Sequence, residues 1–158
     1  MSSNLRTSGL PPLDDIPWGT HLCSFYETPA DLKDLLVPYF VAGLEANERC
    51  VWVTSPPLTL DDAAEAMRER VEGFDRMVAE GRITIIPHDE WYLESGSFDM
   101  HRVFASWAAE VEAAVRAGFD GARVTGNTAW LDREHWDAFA EYERAIDGAV
   151  EDLPILVL

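Results

Sequence analysis

Positive charge is what this sequence has least of: 12 lysines and arginines stand against 29 aspartates and glutamates, a formal net charge of −17 over 158 residues. A field of that sign repels phosphate backbones and anionic lipid, so nucleic acid and membrane surfaces are poor partners. It suits a basic partner protein or a neutral small ligand, besides its plain use in keeping a chain dispersed. Cysteine is scarce too. Cys23 and Cys50 each sit in an apolar, strand-like run (Leu22-Cys23-Ser24-Phe25 and Cys50-Val51-Trp52-Val53). Buried free thiols are expected there, with no sign of a secreted disulfide framework. No apolar run reaches about 18 residues, and residues 1–15 lack the apolar core of a signal peptide, so the reading is a soluble, cytoplasmic protein.

The motifs of common catalytic centres are missing as well. A phosphate-cradling loop after the first strand needs Gly-x-x-x-x-Gly-Lys-Ser/Thr. That turn here is Tyr26-Glu27-Thr28-Pro29, with a carboxylate where phosphate would lie. Gly118, Gly121 and Gly126 are too scattered for a dinucleotide fingerprint. Glu94-Ser95-Gly96-Ser97 reads as turn and cap rather than nucleophile elbow. His21-x-Cys23 puts an imidazole and a thiol on one strand face, and His88 could join them at a neighbouring strand end. Two ligands still fall short of a zinc site, and core pairing is the better reading. His101 and His135 look like ordinary helix residues. Asp89-Glu90 sits at a strand end but has no companion nucleophile or oxyanion donor. The expectation is therefore a non-enzyme, with no metal and no cofactor assigned.

What is present is an alternation of strands and helices. Residues 1–17, rich in Ser, Pro and Asp, read as a flexible lead-in with little to bury, and residues 18–158 as one domain. The first strand is His21–Tyr26. Thr28 caps a helix with Pro29 at its first position and Pro38 as a kink point, and Arg49–Ser55 forms the second strand. One helix follows from Thr59 to Gly81 with a stripe through Leu60, Ala64, Met67, Val71, Phe74 and Met77. Arg82–Pro87 is a third strand. Ser97 caps the next helix, Gly121–Thr125 is the fourth strand, and Asp132 caps a last helix with Trp136, Phe139, Ala140, Ile146 and Val150 inward. Pro154–Leu158 is the fifth strand. Crossovers of roughly 20 residues or more between near-continuous apolar strands imply an α/β fold: a mostly parallel sheet of five strands or slightly more, with helices on both faces. Ligands in such sheets sit at the carboxyl ends of the strands. The chain stops at Leu158 inside an apolar strand, which suggests a piece of a longer protein.

Large amphipathic rings gather at those strand ends: Phe25-Tyr26, Trp91-Tyr92 and Trp130, with Trp52 just inside. Such rings either cap the core or line a small-molecule pocket, and the number of them at one edge favours the pocket.

The same stretches carry a family resemblance. His21-Leu22-Cys23-Ser24-Phe25-Tyr26, Leu36-Val37-Pro38-Tyr39-Phe40-Val41-Ala42-Gly43-Leu44 and Glu48-Arg49-Cys50-Val51-Trp52-Val53-Thr54-Ser55 resemble the opening half of a MEDS domain, the methanogen/methylotroph dichloromethane-regulator sensory domain. Asp89-Glu90-Trp91-Tyr92-Leu93, Arg123-Val124-Thr125-Gly126-Asn127-Thr128-Ala129-Trp130-Leu131 and Glu141-Tyr142-Glu143 continue it. The resemblance implies a sensory input domain, distantly RecA/KaiC-like but without a P-loop. It also implies an attached C-terminal output module of kinase, anti-sigma ATPase or DNA-binding type, and it admits a homodimer. The expected ligand is small and largely apolar or aromatic, lined by Tyr26, Trp91, Tyr92 and Trp130, with polar or sulfur contacts from His21, Cys23, Thr125 and Asn127. Glu141 and Tyr142 on the last helix would pass the signal on. The rival readings are a module that docks a basic partner without any small ligand and a degenerate nucleotide-binding domain.

Overall fold

Strand side chains alternate between two faces, and in this sequence both faces are apolar, so the sheet has to be covered twice. The computed structural model, which describes residues 4–11 and 13–158, meets that requirement. A hairpin of β1 (Leu5–Thr7) and β2 (Asp15–Pro17) leads into β3 (Thr20–His21), α1 (Pro29–Glu45) and β4 (Glu48–Thr54). Then come α2 (Leu60–Arg68), α3 (Phe74–Ala79), β5 (Ile83–Pro87), α4 (His88–Tyr92), α5 (Met100–Arg116), β6 (Gly121–Gly126), α6 (Trp136–Val150) and β7 (Ile155–Val157). The main sheet has five parallel strands in the order β3-β7-β6-β4-β5. This is the expected α/β class.

One face of the sheet carries Cys50, Trp52, Ile83 and Leu156 against Leu32, Leu36 and Phe40 of α1 and Ala63 and Met67 of α2. The opposite face carries Val51, Val53, Val124, Ile155 and Val157 against Trp107 and Val111 of α5 and Phe139, Tyr142 and Ile146 of α6. The β4-to-β5 crossover lies on the first face and the β6-to-β7 crossover on the second. The winding therefore reverses between the neighbouring strands β4 and β6, which opens a crevice beyond their carboxyl ends.

Helix starts follow local chemistry. Thr28 and Asp31 form a reciprocal capping box on α1, which runs on through Pro38 to Glu45. Thr59 and Asp62 do the same on α2.

Several expectations are corrected. The run His21–Tyr26 pairs only at its start, with His21 opposite Val157; residues 22–26 leave the sheet as a loop. Cys23 is consequently exposed, while Cys50 is buried. The single helix expected from Thr59 to Gly81 is two, because Gly73 adopts a left-handed conformation (φ 71°) that an α-helix does not accommodate. Asp89–Tyr92, expected as a strand end, lies within the one-turn helix α4. Asp99 rather than Ser97 caps α5. Asp132 accepts hydrogen bonds from the Glu134 and His135 amides ahead of α6, and Trp136 points outward at 60% exposure.

Residues 1–17 differ most from expectation; residues 1–3 and 12 lie outside the described ones. The remainder buries Ser8, Leu10 and Ile16. Its carbonyls complete a buried charge network. Arg123 of β6 donates to Glu48 Oε2 (2.6 Å), to the carbonyl oxygens of Tyr39 (2.7 Å) and Ser8 (3.0 Å), and to that of Thr7 (2.8 Å). The other Glu48 oxygen accepts from Arg6 Nε at 2.8 Å. Both Glu48 and Arg123 are wholly inaccessible to solvent. Breaking one partner of a buried pair strands the other charge, so Glu48→Ala should cost about 3–5 kcal/mol of stability. Arg6→Ala should cost clearly less, because Arg6 keeps some contact with water. Urea unfolding of the two variants checks this, and equal losses would contradict the assignment.

Candidate ligand-binding cavity

The strand ends do hold a cavity, of about 290 Å³. It lies beyond the carboxyl ends of β3, β7 and β6. The 22–26 loop, Leu32, Leu35 and Leu36 of α1, and Phe139, Tyr142, Glu143 and Ile146 of α6 close it in. That volume stands at the small end of ordinary ligand pockets. A recess of about 480 Å³ beside Ser55–Asp61 and His88 is larger, but it is the more open of the two. It holds none of the residues singled out from the sequence as ligand-binding.

Six of the eight expected ligand-binding residues line the cavity: His21, Cys23, Tyr26, Tyr92, Thr125 and Asn127. Trp91 and Trp130 do not. Trp91 turns into the core and packs on Trp107, with ring centroids 4.2 Å apart. Trp130 stacks on the back of Tyr92 at 5.1 Å and near His88 at 5.9 Å, so it supports a wall rather than forming one. Of the two residues expected to transmit a signal, Tyr142 is buried and faces the cavity, while Glu141 is exposed.

Backbone geometry sets several of these side chains. Asn127 follows β6 and donates from Nδ2 to the carbonyls of Ser55 (3.2 Å) and Pro56 (3.4 Å) after β4, bridging the crevice where the winding reverses. Thr125 Oγ1 donates to the Leu158 carbonyl at 2.6 Å, which spends its hydrogen. Gly126 has to be glycine: a Cβ there would collide with the Tyr92 hydroxyl. Trp107 Nε1–H donates to the Tyr142 hydroxyl oxygen at 3.1 Å. Burial pushes the phenols of Tyr26, Tyr92 and Tyr142 above their ordinary values.

His21 was expected to supply a polar contact, but the two carboxylates beside it were not foreseen. His21 Nδ1 lies 3.0 Å from Asp147 Oδ1, and its Nε2 lies 3.7 Å from Glu143 Oε2. The two carboxylates are one turn apart on α6, and that i, i+4 spacing was the available signal. They address opposite nitrogens of one ring, so they do not converge on a shared metal position. Among the described residues no group of three or more His, Cys, Asp or Glu side chains could hold a metal ion. Burial raises the Glu143 carboxyl above its usual range, with a smaller lowering by His21 and a raising by Asp147.

The reversal of winding makes this a doubly wound α/β domain, with a strand-end cavity that carries aromatic rings and no lysine or arginine in its wall. Residues 20–158 match the family model described as "MEDS: MEthanogen/methylotroph, DcmR Sensory domain", and the chain belongs to this family of sensory domains. No curated protein and no solved structure gives a significant match. Among the described residues, no helix is long and apolar enough to cross a membrane.

A carboxyl whose pKa is higher folded than unfolded favours the folded state at low pH. Its contribution is complete below the ordinary carboxylate value of about 4.5 and is lost as pH rises through the folded value. The stability of the natural protein minus that of Glu143→Gln should therefore decline as pH rises from about 4 to 7. Urea unfolding across that range checks this, and a constant difference would contradict the burial of this carboxyl.

Proposed function

We propose that this domain is the ligand-reading input of a signalling or transcription regulator. It binds a small, largely apolar molecule in the strand-end cavity and passes occupancy to an attached output module of kinase, anti-sigma ATPase or DNA-binding type. The observation that carries the reading is the convergence on one enclosed space of residues from β3, the 22–26 loop, α4, the β6 end and α6. A ligand there touches two helices packed on opposite faces of the sheet. It can bias their packing by as much as its affinity differs between two arrangements. Tyr142 and Glu143 of α6 lie on that route.

Nucleotide is a poorer occupant. The turn before α1, where phosphate would sit, is filled by the protein's own carboxylate: Asp31 Oδ2 accepts from the amides of Thr28 (2.8 Å) and Glu27 (3.3 Å). The docking alternative has its own support in two exposed rings, Phe25 at 95% and Trp136 at 60%, on a strongly acidic chain.

Native mass spectrometry of the purified domain tests the proposal. A small molecule retained by the natural protein and lost from Leu35→Trp, which fills the cavity from its wall, is the expected result. An empty domain that instead captures basic proteins in a salt-dependent way would replace sensing by docking.

A further inference from the structure

The hydrogen-bond inventory of the cavity is lopsided. Tyr92 is buried to 4% exposure, and its hydroxyl has no partner among the described residues. Tyr142, at 2% exposure, accepts from Trp107 and has no acceptor for its own O–H among the described residues. Phenols buried among rings in this way keep their protons, since ionisation would put an unpaired charge in apolar surroundings. The Thr125 hydroxyl offers no acceptor-seeking hydrogen, because the Leu158 carbonyl takes it. Two phenols thus line one cavity, and among the described residues neither O–H has a hydrogen-bond acceptor.

The sign of the surroundings narrows what can satisfy them. No lysine or arginine lines the cavity, Glu143 does, and the chain is strongly acidic, so an anionic acceptor is disfavoured. His21, Ser24, Asn127 and Thr128 add polar groups to the wall, and the remainder is mostly apolar or aromatic.

We infer that the cavity selects a small neutral molecule with an oxygen acceptor, a ketone, aldehyde or alcohol on a compact hydrocarbon body, whose oxygen is held by the Tyr92 and Tyr142 hydroxyls. The inference rests on the proposed sensing role and assigns its ligand class. A site built to donate hydrogen bonds rejects the hydrocarbon that lacks the acceptor, because its own groups then stay unpaired. Gly126 serves the same end by leaving room for the Tyr92 hydroxyl at the cavity wall.

The test compares three probes of matched shape, cyclohexanone, methylcyclohexane and cyclohexylammonium, by ligand-observed NMR titration. The proteins are the natural chain and Tyr92→Phe, Tyr142→Phe, Gly126→Ala and Glu143→Gln, each checked for folding by circular dichroism. Cyclohexanone should bind about tenfold more tightly than methylcyclohexane, the worth of one good hydrogen bond. Each Tyr→Phe change should remove most of that preference while leaving methylcyclohexane within about twofold. Gly126→Ala, which displaces the Tyr92 hydroxyl without deleting it, should act like Tyr92→Phe. Equal binding of ketone and hydrocarbon would overturn the inference while sparing the sensing role. So would a preference for cyclohexylammonium that Glu143→Gln abolishes. Binding of none of the three would overturn the cavity as a ligand site altogether.

Discussion

A guanidinium taken out of water has to find an acceptor for each N–H it carries, and it cannot shed its charge to escape. Arg123 is in that position at the middle of the sheet. Its acceptors come from places far apart in sequence: the Glu48 carboxylate at the start of β4, the Tyr39 carbonyl inside α1, and two carbonyls of the N-terminal hairpin. Its cation also lies 4.9 Å from the centre of the Tyr39 ring. Arg6 shares the Glu48 carboxylate and reaches the Asp120 carboxylate at 3.0 Å, closing the network at the amino ends of the strands. One buried charge therefore fixes how hairpin, α1, β4 and β6 sit together. The cavity can stay comparatively open because this opposite end of the sheet is so tightly specified.

The two ends of the sheet divide the labour. At the amino ends charges are paired and donors satisfied, which gives rigidity. At the carboxyl ends the Tyr92 and Tyr142 O–H groups have no acceptor among the described residues, and both residues line the cavity. Glu143, raised by burial beside His21, adds an acid-sensitive edge to the same space.

Much of this was legible in the sequence because the signals were of the kind that sequence carries. Apolar runs separated by capped helices implied a parallel sheet, and a parallel sheet implied a site at its carboxyl edge. Tyr26, Tyr92, Thr125 and Asn127 followed from their positions alone. The failures have equally physical causes. Leu22, Phe25 and Tyr26 have strand composition, but β3 pairs with β7 only at Thr20 and His21, and residues 22–26 run on as a loop that lines the cavity. The first residues were discounted for their Ser, Pro and Asp content, yet they contribute backbone carbonyls to Arg123, and carbonyls leave no trace in composition. Trp91 and Trp130 sit at the right edge but turn the wrong way, a matter of side-chain direction within α4 and the loop after β6. Glu143 and Asp147 look like a solvated helix face until His21 is brought over them from the far end of the chain.

That last pairing has a temporal meaning. Among the described residues β3 is an edge strand of the main sheet and pairs with β7, Thr20 opposite Leu156 and His21 opposite Val157. This pairing joins strands from the two ends of the described sequence. Contacts so distant in sequence form slowly, because the loop between them must be closed before they repay its entropy. β4, β5 and β6 can pair as soon as they emerge, whereas the wall bearing His21 and the 22–26 loop is laid in place last. Assembly of the cavity thus depends on a strand pairing distant in sequence, because His21 and Val157 both line it.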